Sequence, residues 1–522
     1  MTERYPDRRR YSAVVALCLW AALLVVGALF PGARLWGVHL IAFLSPAMKI
    51  SVGLLFALAC VYTFNPGGIA DRLASITRRL GRGWWRGLLL VVMVGGGGWL
   101  LRAREALLGD GTLRANDAMI GSGWYPSELI PTALATWLTR GLPEAWGIDG
   151  YSAVGLVSIV GGVVFAAGLW WLVPRAARNG GRGAIFFILT CGAVRLFAGY
   201  VESYALGFAL FAFWMLAMIA WLRGRVHWRV FVAFWVLAQL CHVTALALVP
   251  ATLYVLWHKK ERVGLAVFAV CVLTVGGTVL YFFRQLQVSA LGVGESQFLV
   301  PFLPQPPHAY GIVSPAHWLD IVNHLFLLTP ALAVAVLAAL FSRRREQSTD
   351  VTVGHLHDSR IFYALAVALP LCAAFLIDPK LGWARDWDLF ALLSAPALVA
   401  AALWLSAQAG ALRRVAAATA VVSCVLWLTF SVDGRAERDR FEVLLDMDPS
   451  RSDYGHEIMG QYYRRQQNPE KVIEHYQKAL LVSENARYRL NIAAAHMELG
   501  EYVEAERWYL GVAGRDSTIG PA

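Results

Sequence analysis

The stretch YALGFALFAFWMLAMIAWL, from Tyr204 to Leu222, is apolar throughout and carries no charged side chain. An α-helix needs about 20 such residues to cross roughly 30 Å of bilayer hydrocarbon. Apolar runs of similar length recur through the first 430 residues of the chain. The sequence therefore predicts an all-α, polytopic membrane protein.

The overall composition supports the same class. Of 522 residues, 58% are hydrophobic and only 16% are charged, and the mean hydropathy is +0.54. These values are too apolar for a soluble protein of this length. The formal net charge is +11, but most Lys and Arg residues lie in short loops between apolar runs. The basic residues therefore indicate membrane topology and no nucleic-acid partner.

The apolar runs predict about thirteen transmembrane helices, at 11–30, 38–63, 84–101, 151–173, 184–199, 204–222, 230–242, 243–257, 263–283, 317–341, 361–377, 387–406 and 412–430. A cytoplasmic N-terminus, which carries Arg8, Arg9 and Arg10, makes every alternate loop basic. Positive residues concentrate on the cytoplasmic side of membrane proteins. The segments predicted to face outward are then 31–37, 102–150, 200–203, 284–316, 378–386 and everything after residue 430.

The first large outward loop contains LLGDGTLRANDAMIGSGWYPSELIPTALATWL, from Leu107 to Leu138. The catalytic base of a membrane transferase is expected to be a carboxylate just outside the bilayer, so Asp110 is the first candidate. Trp124 is a candidate for stacking on a sugar or a lipid. Two plainer interpretations remain, because Asp110 could cap a helix at 112–120 and Asp117 could be solvated or ion-paired.

Two further outward segments carry charges near membrane depth. RLFAGYVESYAL (195–206) contains Arg195 and Glu202, and DPKLGWARDWDLF (378–390) contains Asp378, Lys380, Arg385, Asp386 and Asp388. Ionisable groups close to hydrocarbon usually pair with each other or line a polar cavity. We therefore expect an outward cavity built from the three segments, with pairing of Arg195 to Glu202, or of Arg385 or Lys380 to the acidic cluster, as the alternative.

Sugar transfer from a lipid-linked phosphate requires both kinds of charge. A carboxylate deprotonates the acceptor hydroxyl, while cations stabilise the departing lipid phosphate. Arg195, Lys380 and Arg385 are the candidate phosphate ligands. A divalent cation such as Mg²⁺ or Mn²⁺ could bind the acidic residues beside a phosphate, although no metal-ligand spacing in the sequence requires one.

The order of Asp110, Arg114, Gly123, Trp124 and Pro126 resembles the first extracytoplasmic loop of GT-C glycosyltransferases, in the branch of protein O-mannosyltransferases and aminoarabinose transferases. These polytopic enzymes use polyprenyl-phosphate sugars. The resemblance implies that Asp110 is the catalytic carboxylate, with Asp117 or Glu202 as the second acidic residue. It also implies substrate binding by this loop, through Arg114, Trp124 and Glu128, and a bacterial inner membrane as the location.

Past residue 430 the composition becomes charged and polar. Two units at about 33-residue spacing, GQYYRRQQNPEKVIEHYQKAL and ARYRLNIAAAHMELGEYVEAERWYL, resemble tetratricopeptide repeats. The matching positions are Gly460, Tyr463, Tyr476, Ala479, Asn491, Ala493, Gly500, Tyr502, Ala505 and Tyr509. We expect an extracytoplasmic helical domain at 431–522 that docks an acceptor or an assembly partner. A folded appendage that only stabilises the chain is the alternative.

The loop 284–316 is rich in Pro, Gly and aromatic residues. A loop of this length is often functional, and it could close over substrate as a flap. An ordered lid without a catalytic residue would have the same composition.

Three functional classes fit these features. A GT-C-type transferase uses 1–430 as its catalytic domain and acts on a polyprenyl-phosphate donor and a protein, lipid or glycan acceptor. A transporter would be expected to repeat its helix pattern in two halves, and no such repeat is seen. A non-catalytic scaffold for envelope glycan assembly would depend on the C-terminal repeats alone. We take the transferase as the principal hypothesis.

Overall fold

The fold is entirely helical across the part of the chain that the structure describes. The computed structural model describes residues 8–64, 84–122, 125–143, 146–177, 181–282, 299–304, 310–341, 357–408 and 410–513. In these ranges an isolated antiparallel bridge between Leu299 and Ile377 is the only extended pairing. The predicted all-α class is confirmed. Most of the predicted flap at 284–316 lies outside the described residues.

Among the described residues, seven helices are long and apolar enough to cross a membrane: Tyr11–Leu29, Pro46–Thr63, Gly150–Ala176, Tyr204–Leu222, Arg262–Phe282, Trp387–Ala407 and Gly410–Ser431. An eighth span is possible if Pro315–Leu328 and Pro330–Leu340, which meet at 102°, cross together. Four shorter apolar helices accompany them, at Trp85–Leu100, Trp228–Cys241, Val243–His258 and Arg360–Leu376. These lengths support membrane association, with fewer full-length spans than the thirteen that the sequence predicts.

The predicted span at 184–199 differs most from the structure. Its helix runs only over Gly181–Leu189 and is followed by a 3-10 helix over Gly192–Phe197. Nine helical residues reach only about 14 Å, which is half of the hydrocarbon thickness. The break predicted near His242 is present, because one helix ends at Cys241 and a 3-10 helix starts at Val243.

The loop 102–150 folds as two amphipathic helices, Gly111–Ile120 and Leu129–Arg140. Both pack against the Gly150–Ala176 helix. Close packing depends on Gly150, where an added Cβ would lie 1.9 Å from the Ala115 carbonyl oxygen. The loop is thereby held rigidly on the end of the helical bundle.

The C-terminal region begins with the Gly434–Met447 helix and continues as Asp453–Arg465, Pro469–Val482, Ala486–Glu498 and Tyr502–Ala513. Phe441, Leu444 and Met459 belong to the same buried core as the membrane helices. The following helices enclose a second small core around Tyr476 and Ile492. The first part of the C-terminal region is therefore continuous with the bundle, and only its last helices form a separate unit.

Buried ion pairs fix this region to the bundle. Arg34 contacts Asp320 at 2.7 Å and Asp448 at 2.9 Å, so one guanidinium joins a membrane helix to the C-terminal region. Arg195 pairs with Glu437 in the same way, and Arg451 binds Asp378 at 2.9 Å; Arg440 donates to the His39 ring at 2.9 Å. Segments far apart in sequence thus meet at one end of the bundle.

We predict that Arg34→Ala destabilises the protein by about 3 kcal/mol, because it leaves the Asp320 carboxylate buried without its cation. The Asp320 side chain is only 1% exposed. Thermal unfolding in detergent, followed by tryptophan fluorescence, should show a lower midpoint. Arg435→Ala is the control, since the Arg435 side chain is 83% exposed. Equal midpoints for both variants would contradict the prediction.

Candidate functional site

Asp110 occupies the N-cap position of the Gly111–Ile120 helix but makes no capping hydrogen bond. Its side chain is 37% exposed, although protein surrounds it on most sides. The capping interpretation is therefore not supported by the geometry. The carboxylate is left accessible, as a group that reacts with a substrate must be.

Arg114 lies beside Asp110 and is held in place from several directions. Its Nη2 is 3.9 Å from Asp110 Oδ2 and donates to Glu128 Oε1 at 2.9 Å. Its guanidinium lies 4.1 Å from the centre of the Tyr125 ring, and Ser203 donates to the other Glu128 oxygen at 2.6 Å. Burial alone would raise the pKa of Glu128, but the Arg114 charge, together with His242 and the hydrogen bond from Ser203, lowers that pKa below its ordinary value. Glu128 thus stays ionised and fixes the cation.

Glu202 and Asp388 face the same small space behind Asp110. An added Cβ at Gly109 would lie 2.2 Å from Glu202 Oε1 and 3.1 Å from Asp388 Oδ2. Both Glu202 oxygens and Asp388 Oδ2 are buried without a hydrogen-bond partner among the described residues. Burial, followed by the charges of Asp388 and Asp110, raises the pKa of Glu202 well above its ordinary value. Buried polar atoms are rarely left unpaired, and such exceptions often mark functional sites.

Asp386 adds a fourth carboxylate to this group. It accepts a hydrogen bond from the Leu381 backbone N–H at 2.9 Å. Burial and the Asp110 charge raise the pKa of Asp386 to about 7. The acidic residues of the first loop and of segment 378–388 are therefore brought together, as the sequence predicts.

Asp117 has a structural environment. It is 8% exposed and accepts from the Tyr125 hydroxyl at 2.5 Å and from Ser122 at 3.2 Å. Its hydrogen bonds hold Tyr125 over Arg114. With Glu202, it lines a cavity of about 10 Å³, which has room for little more than a water molecule.

The three predicted phosphate ligands lie elsewhere. Arg195 is 1% exposed and paired with Glu437, where the sequence had suggested Glu202. Arg385 is 2% exposed and donates to the Arg451 carbonyl oxygen at 2.6 Å. Lys380 is 43% exposed and lies 3.4 Å from Asp378. The two arginines hold the C-terminal region on the bundle, and Arg114 is the cation next to Asp110.

Two further residues belong to the site but were not among the residues predicted from the sequence. Gly109 has a φ of +65°, which permits the turn that presents Asp110. Tyr454, on the Asp453–Arg465 helix, lies close enough to the site for the carboxylate charges to affect its hydroxyl. Burial and the charges of Asp110 and Glu202 raise the pKa of Tyr454. Of these two residues, only Gly109 could have been inferred from the sequence, because it precedes Asp110 in a Gly-Asp-Gly turn.

Trp124, the predicted stacking residue, lies outside the described residues. Within them, no group of three or more His, Cys, Asp or Glu side chains is arranged to hold a metal ion. Comparisons with protein-family models, curated proteins and solved structures found no match for this chain.

We predict that Gly109→Ala impairs function by displacing Glu202, since the new Cβ would lie 2.2 Å from its oxygen. The backbone strain alone should cost about 1–2 kcal/mol. Gly224→Ala is a matched control, with a φ of +68° and no neighbouring atom within 4 Å. Thermal midpoints should fall for both variants, and cellular function only for Gly109→Ala. Full function of Gly109→Ala would show that this contact is dispensable.

Proposed function

We propose that the protein is a membrane glycosyltransferase that moves a sugar from a polyprenyl-phosphate donor to a protein, lipid or glycan acceptor. The observation that carries the proposal is the accessible, uncapped carboxylate of Asp110 beside the fixed cation of Arg114. A carboxylate and a cation side by side are what transfer from a lipid phosphate requires. The resemblance of this loop to GT-C enzymes adds to the proposal.

An apolar groove next to the site supports a lipid donor. Its volume is about 460 Å³, and Leu240, Val275 and Val279 are among its lining residues. The groove also includes Leu129, which follows Glu128 directly in the chain. Helix 262–282, which forms one wall, exposes large apolar side chains such as Leu273. A polyprenyl chain lying there would bring its phosphate close to the Arg114 clamp.

In the proposed reaction, Asp110 removes the proton from the acceptor hydroxyl. The acceptor oxygen forms a bond to the anomeric carbon of the sugar, and the bond from that carbon to the lipid phosphate oxygen breaks. Arg114 stabilises the charge that develops on the departing phosphate. Burial and neighbouring charges raise the pKa of Glu202 and so favour its protonated form, and Glu202 would give that proton to the departing phosphate oxygen.

Divalent cation binding is a second role for the buried carboxylates. Mg²⁺ is usually held by one or two carboxylates together with substrate phosphates. The unpaired oxygens of Glu202 and Asp388 fit this requirement. A bound cation would replace the proton that burial otherwise favours on Glu202, and it would neutralise the donor phosphate.

We further propose a bacterial inner membrane location, with the N-terminus cytoplasmic and the site extracytoplasmic. The thirteen predicted crossings and the tetratricopeptide character of the C-terminal helices belong to the same proposal. The meeting of segments 102–150, 200–203, 378–386 and the C-terminal region at one end of the bundle supports their common side.

We predict that Asp110→Asn abolishes activity, with a loss of about 100-fold or more, because a general base contributes on that order. A strain lacking the gene would be complemented with either form at equal membrane abundance, and its surface glycans profiled by mass spectrometry. Asp446→Asn, at an exposed position, is the control. Full restoration by Asp110→Asn would reject catalysis and favour a scaffold role.

The pH dependence of transfer should report Asp110. Burial raises the pKa of Asp110, and Arg114 offsets this only in part. Because the base must be ionised, activity should fall as pH decreases through a pKa above the ordinary value of about 4. Arg114→Met should move this acidic limb to higher pH, while Arg435→Met should leave it unchanged. An unshifted limb in Arg114→Met would argue against Asp110 as the base.

The metal dependence of transfer can be tested with the purified protein. If Glu202 and Asp388 hold a divalent cation, excess EDTA should abolish transfer and Mg²⁺ or Mn²⁺ should restore it. Glu202→Gln should raise the Mg²⁺ concentration needed for half-maximal activity, whereas Glu506→Gln, on the last helix, should not. Full activity in EDTA would reject the divalent cation and leave proton donation as the proposed role of Glu202.

A further inference from the structure

A second cleft borders the polypeptide segment that leads to Asp110, at residues 102–106. Its volume is about 440 Å³. It is formed by the loop after the Trp85–Leu100 helix, by the start of the Gly150–Ala176 helix and by Arg465 of the C-terminal region. The C-terminal region therefore contributes one side chain to a cleft that the bundle otherwise forms.

Exposed aromatic side chains line this cleft. Trp146 is 65% exposed and Trp99 is 51% exposed. The guanidinium of Arg102 lies 4.6 Å from the Trp99 ring centre. Arg465 donates to the Tyr151 hydroxyl at 2.7 Å and lies 5.1 Å from that ring. Large flat faces are therefore presented next to fixed hydrogen-bond donors.

The charges in the cleft are of both signs. Arg102, Arg104 and Arg465 are accompanied by Glu105 and Asp149. Asp149 is already oriented, because it caps the Gly150–Ala176 helix by accepting from the Ser152 N–H at 2.7 Å. A site for a phosphate would be expected to collect cations without neighbouring carboxylates. Mixed donors and acceptors beside aromatic faces suit a neutral polyhydroxylated ligand.

The wall between the cleft and the acidic site is thin. Val201 lines the cleft, and an added Cβ at Gly111 would lie 1.9 Å from the Val201 carbonyl oxygen. Glu202, the next residue, points into the acidic site. A ligand bound in the cleft is thus held within one layer of backbone of Asp110 and Glu202.

We propose that this cleft binds a neutral saccharide portion of the acceptor. This assignment rests on the glycosyl transfer proposed at Asp110. Trp146 and Trp99 supply the stacking faces, and Arg104, Glu105 and Asp149 bind sugar hydroxyls. The apolar groove beside Leu129 and this cleft then serve the two substrates separately. The C-terminal region takes part directly through Arg465.

The test uses the full-length protein in phosphatidylcholine nanodiscs, applied to an array of neutral and anionic oligosaccharides. The wild type and Asp110→Asn should bind the same neutral glycans. Trp146→Ala should weaken that binding by about tenfold, as expected when a large aromatic contact is lost. Trp257→Ala is the matched control, because Trp257 is 67% exposed and does not line the cleft. Arg104→Ala, a second exposed cleft variant, should also weaken binding.

Several outcomes would overturn the cleft assignment. These are absence of neutral glycan binding by the wild type, or equal binding by Trp146→Ala and Trp257→Ala. A third such outcome is that native mass spectrometry finds phosphatidylglycerol copurified with the wild type but not with Arg104→Ala. That result would mark the cleft as a site for a lipid headgroup. Failure of the proposed transfer is separate, because it appears as full cellular activity of Asp110→Asn whatever the array shows.

Discussion

Charged groups taken out of water at the end of the bundle must be paired, and this constraint organises the molecule. Arg34, Arg195 and Arg440 are each buried or nearly so, and each finds its partner across the boundary between the bundle and the C-terminal region. Removing either side would strand a charge in a poorly solvated environment. The C-terminal helices are consequently a component of the site end, and they are not a loosely tethered module.

The acidic site is less fully paired. Among the described residues, both Glu202 oxygens and Asp388 Oδ2 are buried without a hydrogen-bond partner, and Asp110 makes no capping hydrogen bond to the helix it precedes. Glu128 and Asp117, in contrast, have partners on both carboxylate oxygens. Leaving carboxylate oxygens buried without partners has an energetic cost, which is typical of groups kept ready for substrate, proton or cation.

The surroundings of the site are asymmetric in a way that fits two chemically different substrates. An apolar groove borders Leu129, and a separate polar, aromatic cleft borders Val201. A lipid-linked donor and a hydrophilic acceptor would each meet a surface of matching polarity.

The sequence by itself determined the helical class, the membrane association and the break at His242. These features depend on the local length of apolar runs and on neighbouring residues, which a single chain displays directly. The structure alone decided which charges pair, since Arg195 lies 242 positions from Glu437 and Arg34 lies 286 positions from Asp320. Sequence composition placed Arg195 and Arg385 at the phosphate, whereas folding buries both against the C-terminal region and leaves Arg114 beside Asp110. Partner choice among charges is a tertiary property, because it depends on the relative desolvation and distance of groups that only the folded chain brings together.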